Sequence, residues 1–158
     1  MTKQRVGILF GGRSGEHDVS ISSAQSIARG LSTAPNSDKY DYALFYIQKN
    51  GVWRSGEVAQ SVLESGTPLD AEEGDRAGLW QFPAGAESVD IWFPVLHGPN
   101  GEDGTIQGLL QLMQVPHVGC GMMTSAVAMD KLAMKSAFAQ AGLAQVTYRG
   151  MTRAEVWS

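Results

Sequence analysis

The sequence predicts an α/β fold of three layers, a mainly parallel sheet with helices on both faces. Three observations carry that reading. Near the start, Val6-Gly-Ile-Leu-Phe10 is a short, continuous apolar run closed by Gly11-Gly12, the pattern of a strand buried on both faces. A second run of the same kind, Val89 to Leu96, lies well downstream. Stretches of helical periodicity separate and follow such runs, and strands alternating with helices build parallel sheets through right-handed crossovers.

Each element follows from local chemistry. Val19 to Leu31 places Ala24, Ile27, Ala28 and Leu31 at helical spacing, with Gly30 near the end. Tyr40 to Gln48 is rich in aromatic and β-forming residues, and Lys49-Asn50-Gly51 is a hairpin-like turn into Val52-Trp53-Arg54. A short helix is expected over Val58 to Leu63, then a polar, acidic loop from Pro68 to Asp75 and a strand over Gly78 to Phe82. Pro94 fits the Val89–Leu96 strand only near its end.

Thr105 to Gln114 reads as an amphipathic helix with Ile106, Leu109, Leu110 and Met113 on one face. Val115 to Val118 is expected as a short strand, with Cys120 in a turn between Gly119 and Gly121. Thr124 to Gln140 is expected as one long helix closed by Gly142, and Thr152-Arg-Ala-Glu155 as the start of another. No internal repeat or low-complexity tract interrupts this order.

Composition excludes several function classes. At 158 residues and 43% hydrophobic, the chain has the size of one ordinary domain and can bury a core. A net charge of −4 argues against nucleic-acid binding, which needs a basic face, and against a polybasic membrane surface. No apolar run approaches the roughly 20 residues of a spanning helix. The run at Val6–Phe10 is also too short for the apolar core of a signal peptide. A single cysteine, Cys120, rules out an internal disulfide and suits a reducing cytoplasm. His117 and Cys120 alone do not make a metal site, which needs three or four ligands.

Three segments can carry chemistry. Gly11-Gly-Arg-Ser-Gly-Glu-His-Asp-Val-Ser20 joins a buried strand to a helix, where ligands of open parallel sheets bind. The glycines allow a close backbone approach, the helix N-terminus favours an anion, and Glu16 can hold a cation such as a substrate ammonium. The loop matches neither G-x-G-x-x-G nor a P-loop, and an ordinary strand–helix turn capped by Ser14 or Asp18 also accounts for it.

The second segment is Leu96-His-Gly-Pro-Asn-Gly-Glu-Asp-Gly104. Glu102 and Asp103 sit where acidic residues complement a helix dipole. His97, at the ligand-facing rim, can orient a substrate carboxylate or pair with Glu102. The third is Met129-Asp130-Lys131, where Lys131 shares a helical stripe with Val127, Met134 and Phe138. Its ammonium either snorkels to water or reaches a phosphate.

In order and spacing, GGRSGEHDVSISSA, LHGPNGEDGTIQGLLQLMQVPHVGCG and SAVAMDKLAMK resemble the N-terminal segments of D-alanine–D-alanine ligases of the ATP-grasp superfamily. The likeness weakens between about Gly51 and Glu87. It implies a Rossmann-like, pre-ATP-grasp substrate domain over residues 1–122. Residues 123–158 would be an incomplete start of the central ATP-grasp domain, packed on the first domain or frayed. Roughly 150–200 further residues, the remaining ATP-grasp domains, would be missing.

The implied reaction joins two D-alanines through a D-alanyl phosphate, with ATP and Mg2+, for peptidoglycan synthesis in the cytoplasm. By resemblance, Glu16 fixes the ammonium of the first D-alanine and Val19 lies beside its methyl group. His97 and Glu102 belong to a network behind the substrate carboxylates, and Lys131 contacts ATP phosphate. The Mg2+ ligands would lie outside this chain. The resemblance further implies a homodimer, with the exposed face of the Thr105–Gln114 helix as candidate surface. The 158 residues alone are expected to be inactive, and an ADP-release assay with D-alanine tests that expectation. Two alternatives stand beside this reading. One is a ligase taking D-lactate or D-serine second; the other is a stand-alone, non-catalytic module for a small ligand or for dimerisation.

Overall fold

Strand β1, Gln4–Gly11, is the axis of the fold. In the computed structural model, which describes residues 2–70, 79 and 81–157, β1 pairs in parallel with β2, Tyr40–Ile47, on one side. On the other side it pairs in parallel with β4, Ile91–Pro94. The short β3, Trp53–Ser55, adds antiparallel to β2, giving the four-stranded order β3-β2-β1-β4. The sheet is thus mainly parallel, as the apolar runs predict.

Side chains alternate across β1 and so reach two separate cores. Val6, Ile8 and Phe10 face α1, His17–Leu31, and α2, Gly56–Ser65, joining Ile21, Ala24, Ala28, Ala59 and Val62 in one buried cluster. Leu9 faces the opposite layer, where Phe45, Trp92, Ile106 and Leu110 close a second cluster under α3, Thr105–Leu112. The three layers of the expected α/β/α sandwich are therefore present. Pro94 ends β4, where its missing N–H leaves no ladder bond unmade.

Two expectations for the later part of the chain need correction. The strand expected over Val115–Val118 is a single parallel bridge between Trp92 and His117. Its ladder consists of Trp92 N–H to the Pro116 carbonyl at 2.9 Å and Val118 N–H to the Trp92 carbonyl at 2.8 Å. Pro116, without an N–H, interrupts any longer pairing. The single helix expected over Thr124–Gln140 is two helices, α4, Met122–Met129, and α5, Lys131–Gln140. Asp130 takes an extended backbone, φ −80° and ψ 109°, and its carboxylate accepts the N–H groups of Leu132 and Ala133, both at 2.9 Å. A strong N-cap here outcompetes continuation of the helix.

Gly142, with φ of +73°, closes α5, and the short α6, Arg153–Val156, starts at the Thr152–Glu155 capping box. Of the strand expected over Gly78–Phe82, Gly78 and Trp80 lie outside the described residues, and Leu79, Gln81 and Phe82 are not in a strand. The expected acidic loop after Pro68 lies mostly outside them as well.

Candidate functional site

The strand order sets the location. The chain leaves β1 through α1 to reach β2 on one side, and β4 adds on the other. The C-terminal ends of β1 and β4 therefore flank a topological switch point, where open α/β sheets bind ligands. The Gly11–Ser20 and Leu96–Gly104 segments both emerge there.

The two strands are tied where they open. Ser20, fully buried, accepts the Gly11 N–H at 2.8 Å and donates to the Val95 carbonyl at 2.5 Å. Six residues before it, in the loop ahead of α1, Ser14 Oγ donates to the His97 carbonyl at 2.6 Å and accepts the Glu16 N–H at 3.1 Å. One turn after it, Ser23 Oγ meets His97 Nε2 at 3.1 Å. Glu16, Val19 and Ser23 recur at three- and four-residue spacing, so one face of α1 fronts the second loop.

Glu16 is exposed at the head of α1, and its carboxylate lies against the Cα of Gly98. A Cβ built on Gly98 would stand 2.5 Å from Glu16 Oε2, and Gly98 has φ of +69°, so only glycine closes this contact without strain. Val19 follows in the first turn, 54% exposed, an apolar patch beside a carboxylate. Neither Ser14 nor Asp18 caps α1, contrary to the ordinary-turn reading: its N-terminus has no side-chain cap. Ser14 is occupied by the cross-loop bond instead, and Asp18 faces Lys49 at 3.7 Å in an exposed pair worth little.

His97 does not pair with Glu102. Glu102 accepts the Gly98 N–H at 2.7 Å, which bends its side chain back over its own loop, while the His97 ring turns to Ser23. Asp103 braces the same loop through the N–H groups of Asn100 at 2.9 Å and Thr105 at 3.0 Å. Burial pushes the Asp103 carboxyl up, but these bonds, with the Thr105 hydroxyl, outweigh it and hold the acid below its ordinary value.

His97, Glu102 and Lys131 border one open cleft of about 580 Å³, with Gln107, Cys120 and Ser125. Lys131 is the exposed first residue of α5, so the helix break takes it out of the continuous stripe expected for it. Because Asp130 already occupies the Leu132 and Ala133 N–H groups, an anion arriving here would meet chiefly the Lys131 ammonium. A second, more apolar cavity of about 320 Å³ opens behind the first loop, between Gly12, Ile47, Trp53, Leu96 and Leu109. Among the described residues no group of three or more His, Cys, Asp or Glu could hold a metal ion. No helix there is long and apolar enough to cross a membrane.

Sequence reasoning missed His17, Ser20 and Tyr46. His17 is 1% exposed, with Nδ1 at 2.5 Å from the Gly12 carbonyl and Nε2 at 2.8 Å from the Tyr46 hydroxyl. Burial, reinforced by the Asp18 charge, raises the Tyr46 phenol above its ordinary value despite the Leu69 N–H, so the hydroxyl keeps its proton. The available signal was positional: a polar residue at each of the first inward-facing positions of a helix that packs on a sheet.

Comparison with known proteins gives a consistent set of likenesses. A family model described as D-ala D-ala ligase N-terminus matches residues 5–120. A D-alanine–D-alanine ligase from Synechococcus sp. (strain RCC307) is 55% identical over 153 residues, 97% of this chain and 44% of the relative. Among solved structures, the D-alanine-D-alanine ligase from Coxiella burnetii aligns with a TM-score of 0.67 and 32% identity, over 90% of this chain and 42% of that one. The VanG D-Ala:D-Ser ligase from Enterococcus faecalis aligns equally well, with a TM-score of 0.67 and 30% identity, over 89% of this chain and 43% of that one. The chain thus spans less than half the length of these relatives.

Proposed function

Because the chain belongs to the D-alanine–D-alanine ligase N-terminal family, we propose that it is the part of such a ligase that anchors the first D-alanine. The supporting observation is the junction of the two loops. Ser14 bonded to His97 and Glu16 laid against Gly98 bring a carboxylate, an apolar patch and an imidazole to one mouth over the switch point. In this reading Glu16 receives the substrate ammonium and Val19 flanks its methyl group. His97 and Glu102 hold the wall behind the substrate carboxylates, and Lys131 meets ATP phosphate across the cleft.

ATP supplies the phosphoryl group that activates the first carboxylate. Among the described residues Lys131, at the border of the cleft, is the one proposed to touch it, and no Mg2+ site is assigned to them. The parent enzyme would be cytoplasmic and act in peptidoglycan synthesis. The domain boundary falls near residue 122, since neither core cluster includes a residue beyond Val115. Leu112, 83% exposed on α3, marks the face proposed for a second copy in a homodimer. One fold serves both D-Ala-D-Ala and D-Ala:D-Ser ligases with equal likeness, which favours a role in the substrate the two share.

Titrating the 15N-labelled chain with D-alanine and L-alanine tests the proposal. D-Alanine should move the amides of Gly15 to Val19 and of Gly98. Glu16→Gln, which loses a charge-assisted bond of about 1.5–3 kcal/mol, should weaken the effect roughly tenfold or more. Equal responses to both enantiomers, or an unaffected Glu16→Gln, would overturn it.

A further inference from the structure

The Glu16 loop has an internal brace that the substrate reading does not use. A carbonyl oxygen only accepts, so the His17 bond to Gly12 puts a proton on Nδ1. Nε2 of that tautomer accepts from the Tyr46 hydroxyl, and the Tyr46 oxygen in turn accepts the Leu69 N–H at 3.2 Å. Every polar atom in this buried chain is then satisfied. A ring protonated on both nitrogens would leave the Tyr46 proton without an acceptor among the described residues. The ring stands edge-on to Tyr46, with centroids 5.4 Å apart and planes at 80°, so its orientation is fixed by packing as well.

The geometry matters because of where the brace lands. The Nδ1 bond runs from the first residue of α1 back to Gly12 and closes the Gly12–Glu16 loop into a ring. The residues of that ring with side chains are Arg13, Ser14 and Glu16, and Ser14 is already held by the His97 carbonyl. Both the ends and the middle of the loop are pinned, which leaves Glu16 one backbone position from which to face Gly98.

We propose that His17 is a positioning residue. Its Nδ1–H closes the loop on Gly12 and so presets the Glu16 carboxylate for a ligand ammonium, a role that rests on the reading of Glu16 above. The Gly12 carbonyl sets the tautomer, and the Tyr46 hydroxyl matches it by donating to Nε2.

Two conservative variants separate this from a merely structural role. Asn at position 17 places an amide N–H where Nδ1 stands, and Gln places one where Nε2 stands. In the 158-residue chain, His17→Asn should keep D-alanine affinity within about threefold, while His17→Gln should lose about tenfold. Tyr46→Phe removes the far end of the network and should keep affinity within about threefold, although it too loses a buried hydrogen bond. Affinities that fall in step with melting temperature across the three variants would overturn the proposal.

Imidazole 15N shifts give a ligand-free readout: Nδ1 should be protonated, with Nε2 alone responding to Tyr46→Phe. A proton on Nε2 instead would overturn the proposal. If D-alanine moves no amide of the unsubstituted chain, the Glu16 reading fails by itself. The brace is then judged by hydrogen exchange at the Glu16 amide. His17→Gln should exchange about tenfold faster than His17→Asn, and equal rates would overturn it.

Discussion

Replacing Ser20 with alanine should be among the most damaging single changes of one heavy atom in this chain. The hydroxyl is fully buried between the ends of β1 and β4, with the Gly11 N–H at 2.8 Å and the Val95 carbonyl at 2.5 Å. Alanine leaves both backbone groups without that partner at a buried site. Each such group costs about 1–3 kcal/mol, so the loss should be roughly 2–6 kcal/mol. For a domain of this size each kcal/mol moves the melting temperature by about 2–4 °C, so a fall of roughly 4–24 °C is expected. Urea denaturation gives the free energy directly, with the slope unchanged if only stability has moved. Ser23→Ala is the control, since it removes one part-buried bond of 3.1 Å and should cost about 1 kcal/mol or less. A Ser20→Ala loss below about 1 kcal/mol, or one equal to that of Ser23→Ala, would refute the clamp.

Other substitutions probe the remaining parts of the argument. Gly98→Ala should cost about 1–2 kcal/mol, because it forces a Cβ onto the Glu16 carboxylate at a positive φ, and should weaken D-alanine binding along with stability. Asp130→Ala should cost about 1 kcal/mol and speed hydrogen exchange at Leu132 and Ala133 while leaving β1 and β4 unaffected. The depressed Asp103 carboxyl stabilises the folded state above its ordinary value of 3.8, and that contribution fades as pH falls through the lower native value. The melting-temperature gap between the unsubstituted chain and Asp103→Asn should therefore be flat above about pH 5 and shrink in more acid solution. A gap that widens on acidification would contradict the sign.

Apart from the strand expected over Gly78–Phe82, the first two-thirds of the fold was legible because its elements are marked by local signals. The apolar run to Gly11-Gly12, the Lys49-Asn50-Gly51 turn and the Ile106–Leu110 spacing each have one simple solution. The α4–α5 break was not legible, because the residues on both sides are good helix formers and Asp130 is a strong cap only when the backbone extends there. Glu16 and Val19 could be placed at the mouth because loops after parallel strands lie at the ligand edge. The partners of His97, His17 and Ser20 could not, since bonds to Ser23, Tyr46 and Val95 depend on tertiary contacts that leave no spacing signature. The His97–Glu102 pairing failed for a local reason: Glu102 reaches a backbone amide of its own loop first.

The serine bonds across the mouth carry a kinetic consequence. Ser14–His97, Ser20–Val95 and Ser23–His97 join residues 83, 75 and 74 apart in the chain. Bringing such distant points together costs about 4 kcal/mol of loop entropy above a constant, against about 0.5–1.5 kcal/mol returned by any one of these bonds. No single bond can assemble the mouth; the β1–β4 pairing and its cores must close the loop, after which all three form at no further closure cost. The proposed anchoring site is therefore all-or-none. A nascent chain that has folded through β2 holds Glu16 on a finished helix with no opposite wall, and acquires the wall in one cooperative step when β4 docks.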